Sequence, residues 1–169
     1  KNTPFYNLNN GILYIVLHNF SQDISENVKT IIRRQQNLGN DLKGVVLDLR
    51  YNPGGLLMEA VKLVNLFLPI NTPVVDVKGR HKVNYKTYKT TSDVLLADIP
   101  IAVLINEKTA SASEIVSGAL QDYDRAVVLG SKSFGKGLVQ NAINLKNGDK
   151  LKFTSARYYI PSGRCIQST

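Results

Sequence analysis

The chain has 169 residues and 43% hydrophobic content, enough to bury a substantial core and too apolar for a disordered polymer. A single cysteine, Cys165, excludes an internal disulfide framework and a multi-cysteine zinc site, and no apolar run reaches the length of a membrane span. The net charge of +8 is scattered along the chain, which reads as a solvated basic surface rather than a footprint for nucleic acid.

The chain opens on Lys1-Asn2-Thr3-Pro4 without a methionine, so it reads as an excised piece, and the lack of targeting segments carries no weight. Residues 11–17 form a nearly continuous apolar run after an Asn-Gly turn and predict a buried strand. Ser21 is the expected N-cap of a helix whose apolar face carries Ile24, Val28, Ile31 and Ile32, with Gly39 just past its end. Residues 44–49 predict a second buried strand. The Asn52-Pro53-Gly54-Gly55 turn leads from it into a helix over about 57–67, stopped by Pro69.

Two strands are expected over 73–78 and 82–89, joined at Gly79-Arg80. The stripe of basic and aromatic residues over 78–89 also describes an ordinary exposed hairpin, with His81 solvated. His18 reads as a satisfied core or edge histidine. Residues 101–105 predict a buried strand, and a helix begins near Ser111 with Ala112, Ile115, Val116, Ala119 and Leu120 on its apolar face. Residues 126–130 read as a buried strand, and two further strands, 139–145 and 150–159, flank the Asn147-Gly148-Asp149 turn. This alternation indicates an α/β domain with a largely parallel sheet flanked by helices. Such sheets carry reactive groups in loops at the carboxyl ends of their strands. Loops 50–55, 106–111 and 131–137 are therefore expected to converge.

Two residues in these loops stand out. Ser111 falls at a strand-to-helix junction between Ala110 and Ala112, where free backbone N–H groups and the positive end of a helix dipole suit an oxyanion. By itself it fits an N-cap as well as a nucleophile, and Ser113 is its rival. Lys136 lies between Gly135 and Gly137. It fits a solvated loop lysine or a base, and a lysine serves as a base only as the free amine. Residues 130–137 also approximate a phosphate-binding P-loop, with Asp48 imitating its magnesium-binding aspartate. Gly137 stands where Ser or Thr is needed, and the following residues read as strand instead of helix. Ser133-Phe134-Gly135-Lys136 fits S-x-x-K, but that pattern needs a helix and this loop is glycine-rich.

Four ordered segments resemble the carboxy-terminal processing peptidases, or tail-specific proteases, of the S41 serine peptidase family. They are residues 44–55 ending Asn52-Pro53-Gly54-Gly55, residues 109–122, residues 125–140 with Phe134-Gly135-Lys136-Gly137, and residues 156–164. The resemblance runs from about Gly11 onward. It implies a core like that of the Clp-protease/crotonase group and a single peptidase core domain over 1–169. It assigns Ser111, not Ser113, as nucleophile, Lys136 as general base and Gln140 as the residue orienting the lysine. It places the oxyanion hole at the backbone N–H groups of Gly55 and Ala112. No metal and no cofactor is implied.

Members of the family usually carry a PDZ domain, and nothing in these residues resembles one, so a catalytic core fragment is expected. Cys165 stands where a small polar residue is usual. The resemblance implies a serine endopeptidase acting near the C-termini of protein substrates through an acyl-enzyme. Its partners are then proteins or peptides with accessible C-terminal tails and not nucleic acid. An exported location, periplasmic or membrane-associated, is implied, and membrane association through other segments and a homo-oligomer are both compatible with it. The alternative is a non-catalytic module on the same scaffold that binds apolar ligands or peptides; the presence of both Ser111 and Lys136 argues against it.

Overall fold

The structure, a computed structural model, describes residues 3–168 apart from the Asn84 side chain. The chain enters on a hairpin. β1 (Phe5–Asn9) pairs antiparallel with β2 (Ile12–Val16) across Asn10 and Gly11, whose φ values of 49° and 82° suit a tight two-residue hairpin turn. β1 has no counterpart in the sequence reading. Its polar Asn7 and Asn9 break any apolar run, and Phe5 is exposed on this edge strand.

From β2 the chain builds one sheet in a single direction. α1 (Ile24–Asn37) leads to β3 (Gly44–Asp48), α2 (Leu57–Val64) lies between β3 and β6 (Ile101–Ile105), and α3 (Ala112–Asp122) leads to β7 (Val127–Gly130). The order is β1-β2-β3-β6-β7, parallel from β2 onward, so the sheet is mixed only at β1. Right-handed crossovers in one direction place all three helices on the same face. α2 accordingly packs against both α1 and α3.

Burial follows from this one-sided cover. Leu13, Ile15, Val45, Leu47 and Val103 are buried in a core shared with Val28, Ile32, Leu63, Ile115 and Leu120. Their alternating neighbours Tyr14, Val16, Val46, Ala102 and Leu104 are only half-buried. Each fully buried aliphatic side chain contributes about 1.5–3 kcal/mol of transfer free energy. The expectation of strands buried throughout is therefore corrected to strands buried on one face. It fails most at β7, where Val127 and Leu129 are exposed because the strand is a sheet edge pairing only with β6.

A second, antiparallel sheet has the order β5-β4-β9-β8. It comprises β4 (Pro73–Gly79), β5 (Lys86–Lys89), β8 (Leu138–Asn144) and β9 (Lys150–Tyr159). The strand expected over 82–89 begins only at Lys86. Residues 82–84 form a single 3₁₀ turn closed by Tyr85 N–H donating to Lys82 O at 3.0 Å. α1 starts at Ile24 with Asp23, at φ 65°, in the N-cap position. Ser21 lies one turn earlier, its carbonyl accepting from Ile24 N–H, and does not cap the helix as expected. α2 ends at Val64, and overlapping turns carry its trace to Leu68. His18 is exposed just beyond β2, so the core alternative for it is excluded, and His81 is exposed as expected.

The carboxyl end of β3 is fixed by a polar cluster. Buried Asp48 accepts three guanidinium hydrogen bonds from Arg50, at 2.7 Å, 3.0 Å and 3.2 Å, and a short one from the Tyr14 hydroxyl. The aspartate that imitates a magnesium ligand in sequence is thus committed to a cation and a phenol. Burial pushes its carboxyl up, but the hydrogen bonds from Arg50 and Tyr14 outweigh burial and hold it below its usual value. A lowered carboxyl stabilises the fold above the unfolded value of about 3.9 and ceases to do so as pH falls through the folded value. Asp48→Asn is expected to lose about 1–3 kcal/mol in urea unfolding at pH 7. The gap to wild type should close below about pH 4; a gap independent of pH would rule out this account.

Candidate active site

Buried side chains hold three loops together at the carboxyl ends of β3, β6 and β7. Asn52 is fully buried. Its Nδ2 donates to Leu17 O at 2.7 Å, its Oδ1 accepts from Gly54 N–H at 2.9 Å, and its carbonyl accepts from Ala110 N–H at 3.0 Å. Thr109, also fully buried, donates its hydroxyl to Leu49 O at 2.8 Å. Its carbonyl accepts from Phe134 N–H at 2.9 Å. Asn106 Oδ1 accepts from Tyr51 N–H at 2.9 Å. Loops 50–55, 106–111 and 131–137 therefore converge, as their placement after parallel strands predicts.

Ser111 stands at the N-cap position of α3 with φ 56° and ψ −117°. A non-glycine residue held there costs roughly 1–3 kcal/mol, and such strain persists only where neighbours impose it. One of those neighbours is Glu114, at the third position of the helix. Its Oε2 accepts from Ser111 N–H at 2.8 Å. The same oxygen accepts from Lys136 N–H at 2.8 Å, and Oε1 accepts from Gly135 N–H at 2.6 Å. Glu114 is buried. One carboxylate thus ties the backbones of Ser111 and Lys136 to a common point.

The oxyanion candidates share this corner. Gly54 lies so close to the serine that an added Cβ would fall 2.8 Å from Ser111 Cβ and 2.9 Å from Ala112 N. Gly55 has φ 147° and bridges to Phe20, whose carbonyl lies 2.4 Å from where a Cβ would sit. Among the described residues neither Gly55 N–H nor Ala112 N–H donates a hydrogen bond. An unpaired backbone donor is uncommon at a buried residue such as Ala112, and with the N–H of exposed Gly55 it offers two donors to an anion beside a partly exposed serine.

The remaining candidates divide. Ser113 is fully buried and donates its hydroxyl to Asn52 O at 3.2 Å, so it holds the loop and is closed to substrate. Lys136 is exposed, and its Nζ makes no ion pair among the described residues. Gln140 is exposed on β8 at a bulge, paired with Thr154, and its side chain makes no hydrogen bond among the described residues. The structure therefore brings the backbones of Ser111, Lys136, Gly55 and Ala112 to one corner, with no hydrogen bond between the Ser111 and Lys136 side chains among the described residues, and leaves the Gln140 side chain unengaged. Residues 131–137 are irregular and run into a strand, so neither the P-loop nor the S-x-x-K geometry forms. The sequence reading did not single out Glu114, Asn52 or Thr109. For Glu114 a signal exists, the Ser-x-x-Glu spacing of a helix-capping box.

Peptidase family S41 matches residues 11–169, and the chain belongs to that family. A probable CtpA-like serine protease of Staphylococcus aureus (strain bovine RF122 / ET3-1) is 43% identical over 155 residues, which is 90% of this chain and 30% of the relative. A carboxy-terminal-processing protease of Bartonella bacilliformis is 42% identical over 164 residues, 96% of this chain and 38% of the relative. The chain therefore spans well under half of these curated relatives. Among solved structures it is similar to a photosystem II D1 C-terminal processing protease, with a TM-score of 0.86 and 26% identity over 98% of this chain and 46% of that one.

Glu114→Gln replaces one acceptor oxygen with a donor that faces backbone N–H groups. It is expected to lower kcat about 10- to 100-fold by misplacing serine and lysine together. Steady-state kinetics on the full-length enzyme tests this, and wild-type kcat in the variant would remove Glu114 from the site.

Proposed function

We propose that the chain is the catalytic core of a serine endopeptidase in which Ser111 is the nucleophile and Lys136 the general base. The observation that carries this reading is the single Glu114 oxygen accepting from both Ser111 N–H and Lys136 N–H, beside the unpaired N–H groups of Gly55 and Ala112. The free amine of Lys136 takes the Ser111 proton as Oγ bonds to a peptide carbonyl carbon. Gly55 and Ala112 N–H groups donate to the oxyanion. The C–N bond then breaks, the leaving amine takes the proton back from the lysine, and an ester remains on Ser111. Lys136 next deprotonates a water that attacks the ester, which frees the new carboxyl terminus and restores the serine. On this reading Gln140 orients the lysine when substrate is bound.

The names of the relatives support a preference for sites near substrate C-termini. Protein tails are then the substrates, and the location is exported, in the periplasm or at a membrane. Exposed Tyr51, Leu56, Met58 and Phe134 belong to the loops around the serine and to the start of α2 next to them, and they offer apolar contact to an extended chain.

Ser111→Ala and Lys136→Ala in full-length enzyme are each expected to abolish cleavage of an unfolded protein substrate and labelling by a fluorophosphonate probe. The circular dichroism spectrum should not change. Cleavage retained by either variant would overturn the assignment. Gly55→Ala, which must move off the Phe20 carbonyl, is expected to lower kcat about 100- to 1000-fold as an oxyanion donor is displaced. An unchanged kcat would take Gly55 out of the oxyanion hole.

A further inference from the structure

Gly135, Lys136 and Gly137 are bonded on two sides. Glu114 takes the N–H groups of Gly135 and Lys136 from the α3 side. The other side is taken by residues 165–168, which return over the loop after β9. Gly137 N–H donates to Gln167 Oε1 at 3.0 Å, and Gly135 O accepts from Ser168 N–H at 3.0 Å. Gly137 O accepts from Tyr158 N–H at 2.8 Å, and Tyr158 O in turn accepts from Ile166 N–H at 3.1 Å. The contact is too close for side chains on the loop. A Cβ on Gly137 would fall 2.2 Å from Gln167 N, and one on Gly135 would fall 2.5 Å from Ser168 Cβ.

Close backbone packing braces the loop on the side of residues 166–168. A cleft of about 390 Å³ lies between α3 and the returning segment, with Glu114, Gly135 and Gln167 in its lining. Beside this cleft, hydrogen bonds add to close backbone contact in positioning the loop. On this side Gln167 supplies the one side-chain acceptor among the described residues, directly beside the lysine.

We infer that Gln167 is a positioning residue for Lys136, acting through the Gly137 N–H to hold the lysine loop against Ser111. The inference rests on the Ser–Lys reading above. A glycine-flanked base has little intrinsic order, because glycine leaves both flanking dihedrals free. Gln167 removes part of that freedom through the Gly137 backbone.

The test compares full-length wild type with Gln167→Met, which keeps the length of the side chain and loses the acceptor, and Gln167→Glu, which keeps the acceptor. Kinetics are expressed per active site titrated with the fluorophosphonate probe. Gln167→Met is expected to lower kcat about 10- to 100-fold, with KM within about twofold and probe labelling slowed in parallel. Gln167→Glu is expected to recover most of kcat. Wild-type kcat per site in Gln167→Met overturns the proposal. So does a loss shared equally by kcat and KM that Gln167→Glu fails to restore, since that marks a structural role alone. Should Gln167→Met not fold, Gln167→Asn, which withdraws the same amide by one methylene, is judged by the same two criteria. A wild-type enzyme whose cleavage survives Lys136→Ala overturns the Ser–Lys reading itself and this inference with it. Loss of cleavage in Lys136→Ala beside undiminished turnover in Gln167→Met overturns the inference alone.

Discussion

The buried Glu114 carboxylate is the constraint on which the candidate site depends. A carboxylate removed from water is costly unless its oxygens are satisfied. Here three backbone N–H groups satisfy it, at 2.6–2.8 Å, and it lies in the first turn of a helix whose dipole favours negative charge. Hydrogen bonds to a charged group contribute roughly 1.5–3 kcal/mol each. One such bond, from Ser111, matches the roughly 1–3 kcal/mol of strain in that residue's backbone. The other two hold a glycine-rich loop that has no regular structure of its own. Charge burial, serine strain and the placement of the Lys136 backbone are therefore met by one group.

The rest of the corner is built by close approach. Gly54 admits the serine segment, Gly55 admits the Phe20 carbonyl, and Gly135 and Gly137 admit the returning chain at 165–168. Each approach is below what a Cβ tolerates. Asn52 and Thr109 then tie the loops to the ends of β2 and β3 through carbonyls that the sheet leaves unpaired. The sheet sets where the loops start, and these buried polar groups set where they finish.

The parts of this arrangement visible in the sequence are those with local signatures. Apolar runs marked β2, β3 and β6, and the strand–loop–helix punctuation marked Ser111 as the start of α3. What escaped depends on neighbours distant in the chain. β1 has too polar a pattern to be seen without β2 beside it, and β7 has the composition of an inner strand but lies at an edge. Ser21 has the chemistry of an N-cap, yet the backbone at Asp23 takes a left-handed turn and starts the helix later. Gly135 and Gly137 look permissive in sequence; only Glu114 on one side and Gln167 on the other show what the permission is for. Gln140 is the reverse case, assigned by resemblance and unengaged among the described residues.

The backbone at Ser111 carries one more implication. Glycine adopts φ 56° and ψ −117° without strain, so at this position the residue the fold prefers differs from the one the proposed chemistry needs. On the proposed reading, stability and turnover therefore make opposite demands on position 111, and a stabilising Ser111→Gly exchange would cost the nucleophile.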